Sequence, residues 1–174
     1  MHRIEKSIVI RAPPEKVWEM LAWDRHPEWN KGVKSAEYTS EVRTPEDKFR
    51  VGASAHVTGP EEFDVEIMGS LENEKIAGRY LGIGGARNVT GTYTLKSTEA
   101  GTEMTLVAEY EVTNLILKMI DKLYNYIKGE KDLEKSLEKL KSILEKQMGD
   151  DVLCHWKRIR RLFARCLKLS TRRI

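Results

Sequence analysis

A histidine and two carboxylates come nearest to proton chemistry in the 174-residue sequence: His56 in one strand-like segment, with Asp64 and Glu66 in the next. Gathered on one inward face, an imidazole and a carboxylate can exchange protons with a substrate held within hydrogen-bond reach. The same alternation leaves a second outcome open. Antiparallel sheets commonly wet one face, and the three side chains would then form that outer face. Arg79 and Tyr80 are adjacent in a strand, so only one of them points inward. Tyr80 is the choice, since its ring suits an apolar wall and its hydroxyl can orient a ligand. Trp18 lies on the apolar face of a short helix and reads as core, whereas Trp23 and Trp29 flank a bend. Gly82, Gly84 and Gly85 do not form a dinucleotide loop, because Arg87 occupies the third glycine position and a strand follows. His2, His26, His56 and His155 are scattered without metal-ligand spacing to either cysteine. Neither a metal nor an organic cofactor is expected.

The elements that must position these groups follow from periodicity. Arg3 to Arg11 alternates around Ile4, Ile8 and Ile10, and Ala12-Pro13-Pro14 stops it, with Pro well placed in a first helical turn. A short helix with Val17, Trp18 and Leu21 on its apolar face is expected there, then a second across His26-Pro27-Glu28-Trp29, stopped by Gly32. From Val33 the period changes to two. Strands are predicted over Val33 to Val42, Lys48 to Val57, Glu62 to Leu71, Lys75 to Leu81, Asn88 to Lys96 and Glu103 to Val112. Their short connections imply an antiparallel meander. From Asn114 to about Gln147 the period is helical. Met119, Leu123 and Ile127 belong to its sheet-facing side, together with Leu137, Leu140 and Leu144. The simplest arrangement of this order is α+β, with a seven-stranded curved antiparallel sheet, two short helices, and a long C-terminal helix over the concave face.

Ile8-Val9-Ile10-Arg11-Ala12-Pro13-Pro14-Glu15-Lys16-Val17-Trp18, His26-Pro27-Glu28-Trp29 and Gly32-Val33-Lys34-Ser35 carry a resemblance to a known superfamily. Gly91-Thr92-Tyr93-Thr94-Leu95 and Gly101-Thr102-Glu103-Met104-Thr105 extend it over most of residues 3 to 147. The chain resembles the helix-grip superfamily of START-like lipid-transfer domains and polyketide cyclases (SRPBCC), and within it the polyketide cyclase and dehydrase proteins. That resemblance implies the helix-grip fold and an internal cavity that accepts a hydrophobic or amphipathic, lipid-like or polyketide-like molecule. It implies binding or transport in the first place. The alternative is a cyclase or dehydratase using the same cavity, for which His56, Asp64 and Glu66 are the catalytic candidates. Trp23, Trp29, Tyr80, Met119, Leu123 and Ile127 are the expected ligand contacts, and the glycine loop at Gly82 to Gly85 would border the cavity mouth.

The formal charge of +3 hides a division of the chain. Residues up to Met148 carry 22 basic and 25 acidic side chains, whereas Gly149 to Ile174 carry 8 and 2. The expected organisation is a ligand-binding domain over residues 1–148 and a basic amphipathic helical tail over 149–174. Val152, Trp156, Ile159, Phe163 and Leu167 share one side of that tail, opposite Lys157, Arg158, Arg161, Arg165 and Lys168. Such a helix suits an anionic membrane surface, a partner groove, its own domain or the mate in a homodimer; a foreign extension is a further alternative. Nucleic acid is not an expected partner, because the body is acidic and lacks a basic aromatic platform. No apolar run reaches the roughly 20 residues of a membrane-spanning helix. The first strand leaves no room for a signal peptide, and Cys154 and Cys166 stand too far apart along a helix to pair. A cytoplasmic location is the resulting expectation.

Overall fold

The computed structural model describes residues 1–83, 86–112 and 131–149. The expectations for Met119, Leu123 and Ile127, for Gly84 and Gly85, and for the basic segment beyond Gly149 lie outside the described residues. Seven strands, β1 (His2–Ile10), β2 (Ser35–Tyr38), β3 (Ser54–Thr58), β4 (Phe63–Leu71), β5 (Lys75–Leu81), β6 (Ala86–Thr98) and β7 (Gly101–Val112), form one sheet. Its order is β1-β7-β6-β5-β4-β3-β2, with every neighbouring pair antiparallel. The meander therefore turns back on the chain's beginning, and Ile10 lies opposite Thr102.

Between β1 at one edge and β2 at the other lie α1 (Pro14–Glu19), a 3-10 turn (Trp23–Arg25) and α2 (His26–Trp29). Pro13 precedes α1 in extended conformation and Pro14 opens it, with Glu15 in the first turn as the helix dipole favours. Val17 and Trp18 are its buried residues. The turn from β6 into β7 requires glycine: Gly101 has φ +126°, and a Cβ there would collide with the Ile10 carbonyl.

The concave face is built by alternation, with Met104 and Leu106 of β7, Tyr93 and Leu95 of β6, Ile76 of β5 and Ile67 of β4 all buried. A helix over residues 131–149, α3, lays Leu137, Leu140 and Leu144 into the same core as Ile10, Val17, Met20, Leu21 and Trp29. Polar contacts fix its position. Glu145 accepts the Arg11 N–H at 3.1 Å, and Ser136 accepts the Lys31 N–H at 3.1 Å.

The predicted strand from Lys48 to Val57 is a correction. Glu46–Phe49 is a 3-10 turn and the strand begins only at Ser54. Asp47 explains the difference, since its carboxylate accepts the N–H groups of Arg43 (3.0 Å) and Thr44 (2.9 Å) and holds the segment in a turn. Those hydrogen bonds also hold the Asp47 carboxyl below its ordinary range. Phe49 then stacks on Trp18, 4.8 Å between ring centroids. β2 is likewise shorter than predicted, covering Ser35–Tyr38 rather than Val33 to Val42.

Leu140 is fully buried in α3, whereas Met68 on β4 is 50% exposed. Leu140→Ala is expected to destabilise the fold by about 2–5 kcal/mol and Met68→Ala by no more than about 0.5 kcal/mol. Urea unfolding of the two variants measures both. Equal effects would mean that α3 does not close the core.

Candidate functional site

The short helices and the sheet converge on an enclosed aromatic cluster. Residues 23, 26 and 29 recur every third position, and the tight turns stack their side chains on one side, facing the sheet. His26 lies parallel to Trp23 with centroids 4.2 Å apart, and tilted against Trp29 at 4.8 Å. Tyr93 meets His26 and Trp29 edge-on at 6.2 and 6.4 Å. Tyr80 meets Trp23 edge-on at 5.8 Å and packs beside Phe63 at 5.7 Å. Trp29 is anchored by its indole N–H, which donates to the Met20 carbonyl at 2.9 Å. The Trp23 backbone N–H donates to the Tyr38 hydroxyl at 3.0 Å, tying the helical crossing to β2.

Two glycines shape the sheet side of this cluster. Gly78 and Gly91 are cross-strand partners on β5 and β6. A Cβ on Gly91 would stand 2.7 Å from the Tyr80 hydroxyl and 3.0 Å from its ring, so the absent side chain is what lets the ring lie across the sheet. The result is a small pocket of about 10 Å³. Leu21, Trp23 and His26 line it from the crossing, and Ile67, Ile76, Tyr80 and Tyr93 from the strands. A larger recess of about 490 Å³ lies outside, between α1 and residues 45–51. It is an open surface cleft with charged rims at Glu15, Glu19, Glu46 and Arg50, and the aromatic cluster does not border it.

Electrostatics single out His26. It is 1% exposed, its Nδ1 lies 3.0 Å from the Ala22 carbonyl, and its Nε2 is buried with no hydrogen-bond partner among the described residues. Burial lowers its pKa to about 4, outweighing the opposing influence of the Ala22 hydrogen bond and of Asp24, so the ring is neutral near pH 7. Desolvation also pushes the Tyr80 phenol up to about 12 and the Tyr93 phenol well above its ordinary value. The pocket thus holds three uncharged polar groups in an apolar surround. It can accept or donate hydrogen bonds but offers no fixed charge.

The side chains singled out in the sequence divide between the two faces. Trp23 and Tyr80 line the pocket and meet edge-on, whereas Trp29 packs behind it against His26 and Tyr93. Arg79 points outward and pairs with Glu66 at 2.8 Å. His56 and Asp64 are cross-strand partners joined at 2.8 Å on the solvent face, out of phase with buried Ala55, Val57, Val65 and Ile67. The Asp64 hydrogen bond raises the His56 pKa, which suits a surface ion pair. His56, Asp64 and Glu66 therefore take the outward alternative that the alternation left open, and they do not reach the pocket. His26 and Tyr93 were not singled out. Their signals were the i, i+3, i+6 spacing of Trp23, His26 and Trp29, and the inward alternation of Gly91, Tyr93 and Leu95. Among the described residues no group of His, Cys, Asp and Glu could hold a metal ion. None of their helices is long and apolar enough to cross a membrane.

His26 gives a pH signature. Its folded-state pKa lies below that of the unfolded chain, so between about pH 6.5 and 4 the unfolded chain binds a proton that the folded one does not. The stability contribution is intact above pH 6.5 and falls as pH drops toward 4. Wild-type protein is expected to lose roughly 3 kcal/mol more than His26→Gln over that window. Urea unfolding at a series of pH values measures the difference, and parallel curves would show that His26 is not buried as a neutral ring.

The same architecture recurs in solved structures of low sequence identity. Protein MLL2253 from Mesorhizobium loti superposes with a TM-score of 0.63 at 18% identity, covering 83% of this chain and 98% of its own. XoxI from Bacillus cereus gives 0.66 at 15% identity, covering 85% and 99%. The Aha1 dimer from Colwellia psychrerythraea gives 0.59 at 16% identity, covering 83% and 97%. These likenesses show the fold, and they bear out the helix-grip expectation. No curated protein matches the sequence. The family model "Polyketide cyclase / dehydrase and lipid transport" matches residues 1–145, in agreement with the resemblance carried by the first strand and the helical crossing. The chain thus belongs to the polyketide cyclase / dehydrase and lipid transport family.

Proposed function

We propose that the protein binds, and through binding transports, a hydrophobic or amphipathic small molecule between the concave face of the sheet and its C-terminal helix. The observation that carries this reading is the unpartnered His26 Nε2 in an otherwise apolar aromatic pocket. Leaving a buried polar atom unsatisfied costs about 1–3 kcal/mol, a cost removed when an incoming hydroxyl, of water or of a ligand, supplies the missing partner. At about 10 Å³ the pocket has the size of a single oxygen atom with its hydrogen. It is the inner end of the site. The body of the ligand would extend from it along the concave face toward Met119, Leu123 and Ile127, which helical spacing assigns to the sheet-facing side.

Membership of a family described by both cyclase and lipid-transport activities supports a ligand of this class. An enzymatic reading has less support, because His56, Asp64 and Glu66 face solvent rather than the pocket. We further propose that residues 1–148 are the ligand-binding unit. The basic segment 149–174 would bring it to an anionic membrane surface where a hydrophobic cargo is exchanged.

Gly91→Ala tests the location of the site. The new Cβ displaces the Tyr80 ring, which lines the pocket, at an overpacking cost of about 1–3 kcal/mol. Binding of Nile red, followed by energy transfer from the tryptophans, is expected to weaken at least about tenfold while the protein remains folded. Native mass spectrometry of the wild type should show a retained small molecule. Unchanged dye affinity in the variant, with no retained mass, would defeat the interior reading.

A further inference from the structure

We propose that the interior pocket selects its ligand through a neutral hydrogen-bond donor, an alcohol or phenol hydroxyl, delivered to Nε2 of His26. This rests on the ligand-binding reading above and adds the chemical group at the ligand's inner end. The argument begins with the tautomer. The Ala22 carbonyl can only accept, so the Nδ1 that lies 3.0 Å away carries the ring's proton. Nε2 is left with a lone pair and no hydrogen. Parallel stacking on Trp23 and edge contacts from Tyr93 hold the ring plane, and turning the ring over would break the Ala22 hydrogen bond.

The surroundings then decide which groups are admitted. Leu21, Ile67 and Ile76 present only apolar atoms, and neither lysine nor arginine is among the described residues that line the pocket. A carboxylate or phosphate would meet a lone pair and lose its hydration with no cation in return. An ammonium would donate a hydrogen bond but bury an unpaired charge. A ketone or an ether can accept from the Tyr80 or Tyr93 hydroxyl but brings no hydrogen to the Nε2 lone pair. A hydroxyl supplies the missing hydrogen without charge, and its size matches a space of about 10 Å³. A site with a buried acceptor rejects the analogue that lacks the donor, because the acceptor is then left unpaired.

The test compares three probes with one tail, para-octylphenol, para-octylanisole and para-octylbenzoate, titrated calorimetrically into the full chain near neutral pH. The phenol is expected to bind at least about tenfold more tightly than the ether or the carboxylate. In His26→Phe, which keeps a flat ring in the stack, the phenol should fall to the affinity of the ether. Nitrogen NMR of the wild-type imidazoles gives a readout that needs no folded variant: the His26 Nε2 should carry no proton, and its resonance should shift upfield with the phenol alone. Equal binding of the three probes, or a protonated Nε2, overturns the donor selection and leaves interior binding standing. Failure of all three to bind overturns the ligand-binding reading and this inference with it.

Discussion

The pairing of β1 with β7 is the constraint on which the rest of the molecule depends. It places the chain's first strand at one edge of a seven-stranded sheet and its second at the other. Residues 11–34 must therefore travel across about six strand spacings, or roughly 29 Å along the sheet. They make the journey as two short helices and a 3-10 turn over the concave side. Trp23, His26 and Trp29 enter the interior because the crossing has nowhere else to pass. The same pairing fixes the joint at which the crossing departs. Ile10 faces Thr102, whose buried hydroxyl donates to the Ala12 carbonyl at 2.7 Å just before α1 begins.

The two faces of the sheet do different work. On the outer face, cross-strand pairs such as Arg79 with Glu66, His56 with Asp64 and Ser7 with Thr105 are solvent-exposed. Exposed pairs of this kind contribute little to stability. Their value lies in register. A slip of β4 by one residue against β3 would turn Val65 to water and bring Asp64 into the core, a change no surface ion pair could offset. Paired charges outside and alternating aliphatics inside thus specify the same register, and that agreement keeps the aromatic pocket in one geometry.

How much of this the sequence reveals depends on the range of the forces involved. The strands β1 and β4 to β7 were readable from alternation, and α1 from its prolines, because hydrophobic periodicity and proline sterics are local. The segment at Lys48 failed because two hydrogen bonds to the Asp47 carboxylate outweigh a strand-like pattern, and the pattern cannot display them. Trp23, Trp29 and Tyr80 were identifiable as inward aromatics, but their meeting point was not, since it depends on cross-sheet register and on the missing Cβ of Gly91. His26 is not legible as a site residue, because a histidine between tryptophans resembles a packing residue as much as a polar one. Only its depth in the fold shows that one of its nitrogens lacks a partner.

That nitrogen differs from the polar groups of Thr102 and Ser136, the other fully buried polar residues among those described. Thr102 donates to a carbonyl, while Ser136 both donates to the Asp132 carbonyl and accepts from Lys31. Each of these hydrogen bonds joins two elements or holds a helical turn, so packing accounts for it. His26 follows that rule at Nδ1 and departs from it at Nε2. A phenylalanine could fill the same space between Trp23, Trp29 and Tyr93 without burying a polar atom, so aromatic packing does not account for an imidazole here. The Ala22 bond alone would not justify it either, because one hydrogen bond contributes about 1 kcal/mol and burying an unsatisfied acceptor costs at least as much. What distinguishes histidine from every better-packed alternative at this position is a neutral lone pair directed away from its own backbone, and the proposed ligand contact rests on that lone pair.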